Sequence, residues 1–177
     1  MVRHSKNSLL VHRIAHYYIK CFDFVPYFRS DRDGEKKSED YKHYAFREST
    51  GRYIAAINST AFYFYWLVFF DGFKAGKACV ENFPFGGVDS TPPCYARLEQ
   101  KSISLMADMQ KNATRLQARY ATSGNVEYDQ FSPRKSKELI DDIDQILAHH
   151  YGLTDAELDL VINYDVKFRS SESDEEE

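Results

Sequence analysis

The side chains of this sequence best placed to do chemistry are cations. Arg29, Arg32, Lys36 and Lys37 fall within Arg29 to Asp40 (RSDRDGEKKSED), a stretch with no large apolar side chain. Such a segment has nothing to bury, so it is predicted to be an exposed loop built around Asp33-Gly34. Lys42 and Arg47 follow it, and Lys74 and Lys77 form a second group in a glycine-containing turn after an aromatic run. Lysine and arginine on exposed turns hold phosphate oxygens, and tyrosine or phenylalanine beside them can reach or wedge at base edges. That is the chemistry of nucleic-acid contact, not of bond making. Asp31, Asp33, Glu35, Glu39 and Asp40 stand among the cations and leave a second reading open, a solvated loop of mixed charge.

Catalytic patterns are thin. There is no GxGxxG, GxxxxGK[ST] or GxSxG, so neither a phosphate-cradling loop nor a nucleophile elbow is supported. His149-His150 are adjacent and point about 100° apart on a helix, unlike the i, i+4 pair that grips a metal. Asp141, Asp142 and Asp144 lie in the early turns of an expected helix, where a solvated acidic face is the simpler account. Cys21, Cys79 and Cys94 are far apart in sequence. They are read as free thiols of a cytoplasmic protein, with no disulfide framework.

Composition bounds the rest. The 177 residues are 43% hydrophobic, 15% aromatic and 28% charged, which excludes a disordered chain and permits a core. A formal charge of −4 disfavours a phosphate binder at first sight, but it is unevenly spread. Residues 1–77 carry a net +5, residues 78–170 a net −4, and Ser171 to Glu177 a further −5. The longest uncharged run, Tyr53 to Phe70 (YIAAINSTAFYFYWLVFF), is interrupted by Asn58-Ser59-Thr60, and its flanks, Arg52 and Asp71, form no basic cluster. Burial in protein is expected there instead of a membrane span.

The elements that must carry these residues are predicted to be α+β: a small N-terminal antiparallel strand region followed by four or five helices ending in a helical hairpin. Ser8 to Phe24 and Tyr41 to Phe46 are rich in β-branched and aromatic residues and partly alternate, as half-buried strands do. Ser49 or Thr50 can cap one helix, and Asn58-Ser59-Thr60 a second over Ala61 to Phe70. After a polar linker at 86–93, Met106, Met109, Ala113, Leu116 and Tyr120 step by three and four, which predicts one long helix stopped at Ala121 to Gly124. Ser132-Pro133, an apolar stripe from Leu139 to Tyr151, and Gly152 punctuate another. Thr154 to Glu157 is a capping box that starts the last one. The expected division is a strand-rich part at 1–85, the linker, a helical part at 94–168 and an acidic disordered tail at 169–177.

The order of segments resembles the C-terminal target-recognition region of adenine-specific (N6) DNA methyltransferases of the TaqI-like and Type IIG restriction-modification group. The residues that carry the likeness are Pro26-Tyr27-Phe28 before the charged loop, Asn58 to Trp66 (NSTAFYFYW), Asp71-Gly72-Phe73-Lys74 and Val80 to Phe85 (VENFPF). Phe131 to Ser136, Asp142 to Leu147, His150 to Thr154 and Ile162 to Asp165 resemble the close of the same proteins. The resemblance implies recognition of double-stranded DNA in the service of adenine methylation. It places S-adenosylmethionine in a catalytic domain or subunit that this chain does not contain, and it makes the chain a split subunit, a fragment or a remnant. The methyltransferase motif [DN]PP[YFW] is not matched by Asp89 to Tyr95 (DSTPPCY), where Thr91 takes the acidic or amide position and Cys94 is inserted. The resemblance therefore implies DNA contacts at Arg29, Arg32, Lys36, Lys37, Lys42, Arg47, Lys74 and Lys77 and no catalytic residue. The rival expectation is a non-catalytic protein-interaction module that docks on restriction-modification subunits.

Overall fold

Leu9 to Val11 becomes the centre of a sheet because its unbroken apolar run has cover on both faces. In the computed structural model, which describes residues 7–14, 18–46, 49–84 and 92–164, β1 (Ser8–His12) lies between β2 (Cys21–Phe22) and β5 (Tyr41–Ala45). Both partners are antiparallel to it, and Leu10 stands opposite Phe22 on one side and His43 on the other. Leu9, Leu10 and Val11 are fully buried. Arg47, positions 86–91 of the expected linker and the acidic tail lie outside the described residues.

The polar triplet inside the long apolar run proves to be its hinge. It separates α1 (Gly51–Ile57) from α2 (Thr60–Phe69). Asn58, with no exposed surface, donates through Nδ2 to the carbonyls of Cys21 (2.7 Å) and Ile54 (2.9 Å), and its Oδ1 accepts from Cys21 N–H (3.1 Å). β2 is an edge strand, so this amide stands in for the neighbour its backbone lacks. Ser59 caps α2, its hydroxyl accepting from Phe62 N–H (3.0 Å) and donating to the Ala56 carbonyl (2.6 Å). Phe62 and Trp66 of α2 are fully buried. Removing an indole of this size from water is worth about 5 kcal/mol at roughly 25 cal/mol per Å2. Among the described residues, no helix is long and apolar enough to cross a membrane.

α3 (Lys77–Asn82) adds Cys79 and Val80 to the same core, and α4 (Pro92–Lys111) adds Leu98, Leu105, Met106 and Met109. Helix therefore begins inside the expected linker, at Pro92, where a proline costs no hydrogen bond. The predicted long helix is cut short at its other end. It stops at Lys111, and Leu116 and Tyr120 lie on β6 (Thr114–Tyr120), which turns through Ala121 to Ser123 into β7 (Gly124–Gln130). A period of two from Thr114 onward overrides the chance spacing of Ala113, Leu116 and Tyr120. Gly124, at φ +73°, is the left-handed residue that closes a three-residue hairpin loop, not a helix stop.

A second correction concerns the charged loop. Phe28–Ser30 (β3) and Gly34–Glu35 (β4) form a tight hairpin, and β3 pairs antiparallel with β7, giving the sheet order β4-β3-β7-β6. This sheet joins residues on both sides of the expected linker. The part expected to be helical thus contains two strands and shares a sheet with the front of the chain.

From Pro133 to Asn163 the helices begin at Pro133, end at Gly152 and restart at Thr154 as the punctuation dictates, although the Ser132 side chain makes no capping hydrogen bond. Pro133 opens a 3-10 turn (Pro133–Ser136) that runs into α5 (Lys137–Tyr151); Gly152, at φ +70°, ends it, and Leu153 N–H returns to the Ala148 carbonyl (2.9 Å). α6 (Asp155–Asn163) starts at a complete capping box of Thr154 and Glu157 and packs back on α2 and α5. The fold is α+β, with antiparallel strands in two sheets and six α-helices among the described residues.

Candidate nucleic-acid interface

Two tight turns meet at one end of the second sheet. The β3–β4 turn carries Asp31, Arg32 and Asp33, and the β6–β7 turn carries Ala121 to Ser123. Asp31 locks them together: its N–H donates to the Asn125 carbonyl (3.0 Å), and its carboxylate accepts from the Asn125 backbone N–H (3.0 Å) and Nδ2 (2.8 Å). Gly34, at φ +69°, closes the first turn as Gly124 closes the second. A Cβ at Gly124 would stand 3.1 Å from the Asp31 side chain, so any other residue there must displace Asp31 slightly as well as adopt a left-handed backbone. The tip presents Arg32 exposed on one turn and Arg119 exposed just before the other.

On one face of this sheet the cations are matched by acids. Arg29 stands opposite Glu35 and Glu127, and Arg115 opposite Asp129. The Arg115 guanidinium bonds Asp129 (2.5 Å) and lies 3.7 Å above the Tyr27 ring. Tyr27 Oη donates to Glu127 (3.0 Å), and Gln117 Nε2 donates to the same carboxylate (3.4 Å). The Tyr27 bond draws the Glu127 carboxyl below its ordinary range, and the Asp129 bond holds the Arg115 guanidinium in its charged form. Lys36 pairs with Asp33 at 2.7 Å, which lowers the Asp33 carboxyl. These exposed pairs orient side chains more than they stabilise the fold.

The other predicted contacts lie elsewhere. Lys37 donates to the Tyr41 carbonyl (3.1 Å), and Lys42 on β5 sits 5.6 Å from the Tyr44 ring centroid. Lys74 rests on Phe73 in a turn whose N–H groups at Phe73 and Lys74 are held by the Asp71 carboxylate (2.9 and 3.0 Å). Lys77 makes an i, i+4 pair with Glu81 (3.4 Å) on α3. Arg13 ties two of these segments together. It accepts from Ala75 N–H (2.9 Å) through its carbonyl, donates to the Asp40 carbonyl through its N–H (2.8 Å), and reaches the Glu39 carbonyl with its guanidinium (2.7 Å). The structure thus brings Arg29, Arg32 and Lys36 onto one hairpin and joins the segments of Lys37 and Lys74 through Arg13, while Lys77 sits apart. Arg13, Arg115, Arg119 and Asn125 were not singled out from sequence; alternation of exposed and apolar residues over 114–120 is the signal that marks the middle pair.

The remaining chemistry is muted. Burial pushes the Cys21 thiol well up and the Cys79 thiol to about 12, so neither is a nucleophile near neutrality. An open cleft of about 340 Å3 is lined by Tyr44, Phe46, Tyr53, Val80, Glu81 and Phe83, with the Phe46 and Tyr53 rings stacked 4.4 Å apart. Among the described residues, no group of three His, Cys, Asp or Glu side chains is placed to hold a metal ion. No protein-family model, no curated protein and no solved structure matches this chain.

Proposed function

We propose that this chain is the DNA target-recognition part of a cytoplasmic adenine-N6 methyltransferase of a restriction-modification system, with the S-adenosylmethionine-binding catalytic domain supplied by another domain or subunit. The ordered segments from Pro26 to Phe85 motivate the reading. The observation that carries it in three dimensions is the cross-braced pair of turns at Asp31 and Asn125, a rigid tip bearing Arg32 and Arg119. A narrow tip with two exposed guanidinium groups suits insertion at a groove of double-stranded DNA, where phosphate contacts position and base-edge contacts specify.

Fluorescence anisotropy of a labelled duplex tests it. Binding is expected at about 50 mM salt, with log K falling linearly against log salt. Arg32→Ala with Arg119→Ala is expected to make that slope shallower by about two, one per lost phosphate contact. No binding at low salt, or a slope unchanged in the double variant, refutes the reading. The protein-docking alternative draws support from the exposed Val68 and Phe69 on α2 and Leu160 and Tyr164 at α6, where Phe64 meets Tyr164 edge to face at 4.9 Å.

A further inference from the structure

We infer that the free edge of β6 receives a second copy of this chain, the two β6 strands pairing antiparallel about a twofold axis at Ala118. Among the described residues, β6 is the outermost strand of its sheet, seven residues long, without proline. Its backbone direction follows from its neighbour. Asn125 and Asp129 of β7 bond back to Asp31 and Tyr27 on the β3 side, so the alternate residues Val126, Tyr128 and Gln130 bond Ala118, Leu116 and Thr114 of β6. The N–H and C=O groups of Arg115, Gln117 and Arg119 therefore point outward, away from the sheet. An edge of this length with open backbone groups is a template for another strand.

The side chains select the occupant and the register. Leu116, Ala118 and Tyr120 share one face of the strand, and Arg115, Gln117 and Arg119 the other. Tyr120 is 52% exposed. Pairing about Gln117 would set Arg115 against Arg119 of the second copy twice, like charge on like charge. Pairing about Leu116 would leave both Tyr120 rings without a neighbour. About Ala118, each Tyr120 covers Leu116 of the second copy, and each Gln117 amide faces an Arg119 guanidinium. The two Ala118 residues then meet where opposed strands approach to about 4.5 Å between Cα atoms, a spacing that suits a small side chain. Gln117 and Arg119 exchange both of their backbone hydrogen bonds with their counterparts. The product is a continuous eight-stranded sheet, formed from the four strands in each copy.

A strand pair alone buries less than the roughly 1,600 Å2 of a stable complex, so the association is weak and reversible, in the range of about 10 μM to 1 mM. Sedimentation velocity of the full chain without DNA tests it, and its outcome is independent of any nucleic-acid role. The weight-average mass is expected to rise from monomer toward dimer across that range. Gln117→Lys, an exposed position that sets lysine against Arg119 of the second copy, is expected to weaken dimerisation at least about tenfold with an unchanged circular dichroism spectrum. Gln117→Lys with Arg119→Glu is expected to restore it by placing opposite charges across the axis in place of the amide–guanidinium pair. A monomer at all concentrations, a dimer indifferent to Gln117→Lys, or no restoration in the double variant overturns the pairing.

Discussion

Asp144 offers a test of how the aromatic helix is held. This carboxylate on α5 is 1% exposed and caps a different helix: Oδ1 accepts from Thr60 N–H (2.9 Å) and Ala61 N–H (3.2 Å) at the start of α2, while Oδ2 is buried with no hydrogen-bond partner among the described residues. Asp144→Ala leaves two N–H groups of the first turn without an acceptor and is expected to cost about 2–3 kcal/mol. Asp144→Asn keeps the acceptor and removes the buried charge, so it is expected to match the wild type within about 1 kcal/mol near pH 4, where the folded state holds the carboxyl protonated, and to exceed it near pH 7. Burial, only partly opposed by the Thr60 and Ala61 bonds, pushes the carboxyl up to about 6, with Asp141 adding to the rise. In an unfolded chain the same group titrates near 3.9. Between roughly pH 4 and 6 the folded state therefore keeps a proton that the unfolded state has released, and stability falls as pH rises through that window. Two pKa units correspond to about 3 kcal/mol in all. Urea unfolding at half-unit steps from pH 4 to 7 measures this as the difference between wild type and Asp144→Asn, smallest at the acid end and growing to about 3 kcal/mol in favour of Asp144→Asn near pH 7. A difference flat across the range, or an Asp144→Ala variant as stable as Asp144→Asn, would refute the cap as described.

Two other substitutions probe the joints of the fold. Asn58→Ala strips the buried edge of β2 of two hydrogen bonds and the Ile54 carbonyl of a third, and is expected to lower stability by about 3 kcal/mol in urea titration; a loss below about 1 kcal/mol would mean that water or a backbone shift supplies the missing partners. Gly124→Ala must hold an alanine at positive φ with its Cβ 3.1 Å from Asp31, so a loss of about 1–3 kcal/mol is expected by thermal unfolding. Retention of full stability there would show that the two turns are not braced as drawn.

The parts of the fold legible in sequence are those whose signals are local. Gly152 and the Thr154–Glu157 box mark their helix ends because both work through backbone groups within one turn. Ser59 is legible as a cap for the same reason. β6 was misread because Ala113, Leu116 and Tyr120 fit a helical period as well as a strand period over so short a span, and only pairing with β7 decides between them. The candidate interface was half legible for a related cause. A loop free of apolar residues announces exposure, but not that it folds into a hairpin, that Asp31 binds Asn125 across ninety-four positions, or that Arg29 and Lys36 face acids.

By itself the sequence determined the fold class, the helical hairpin, the burial of the apolar run from Tyr53 as far as Trp66, though not of Val68 and Phe69, and the exposure of the 31–33 turn, all consequences of local propensity and apolar content. Tertiary structure alone decided which cations stand together, which sheet edge stays open, and why a polar triplet sits inside an apolar core. Asn58 serves a strand thirty-seven residues earlier, and Thr60 with Ala61 is served by a carboxylate on a helix more than eighty residues later. Hydrogen bonds at such separations are chosen by packing, and one-dimensional periodicity carries no trace of them.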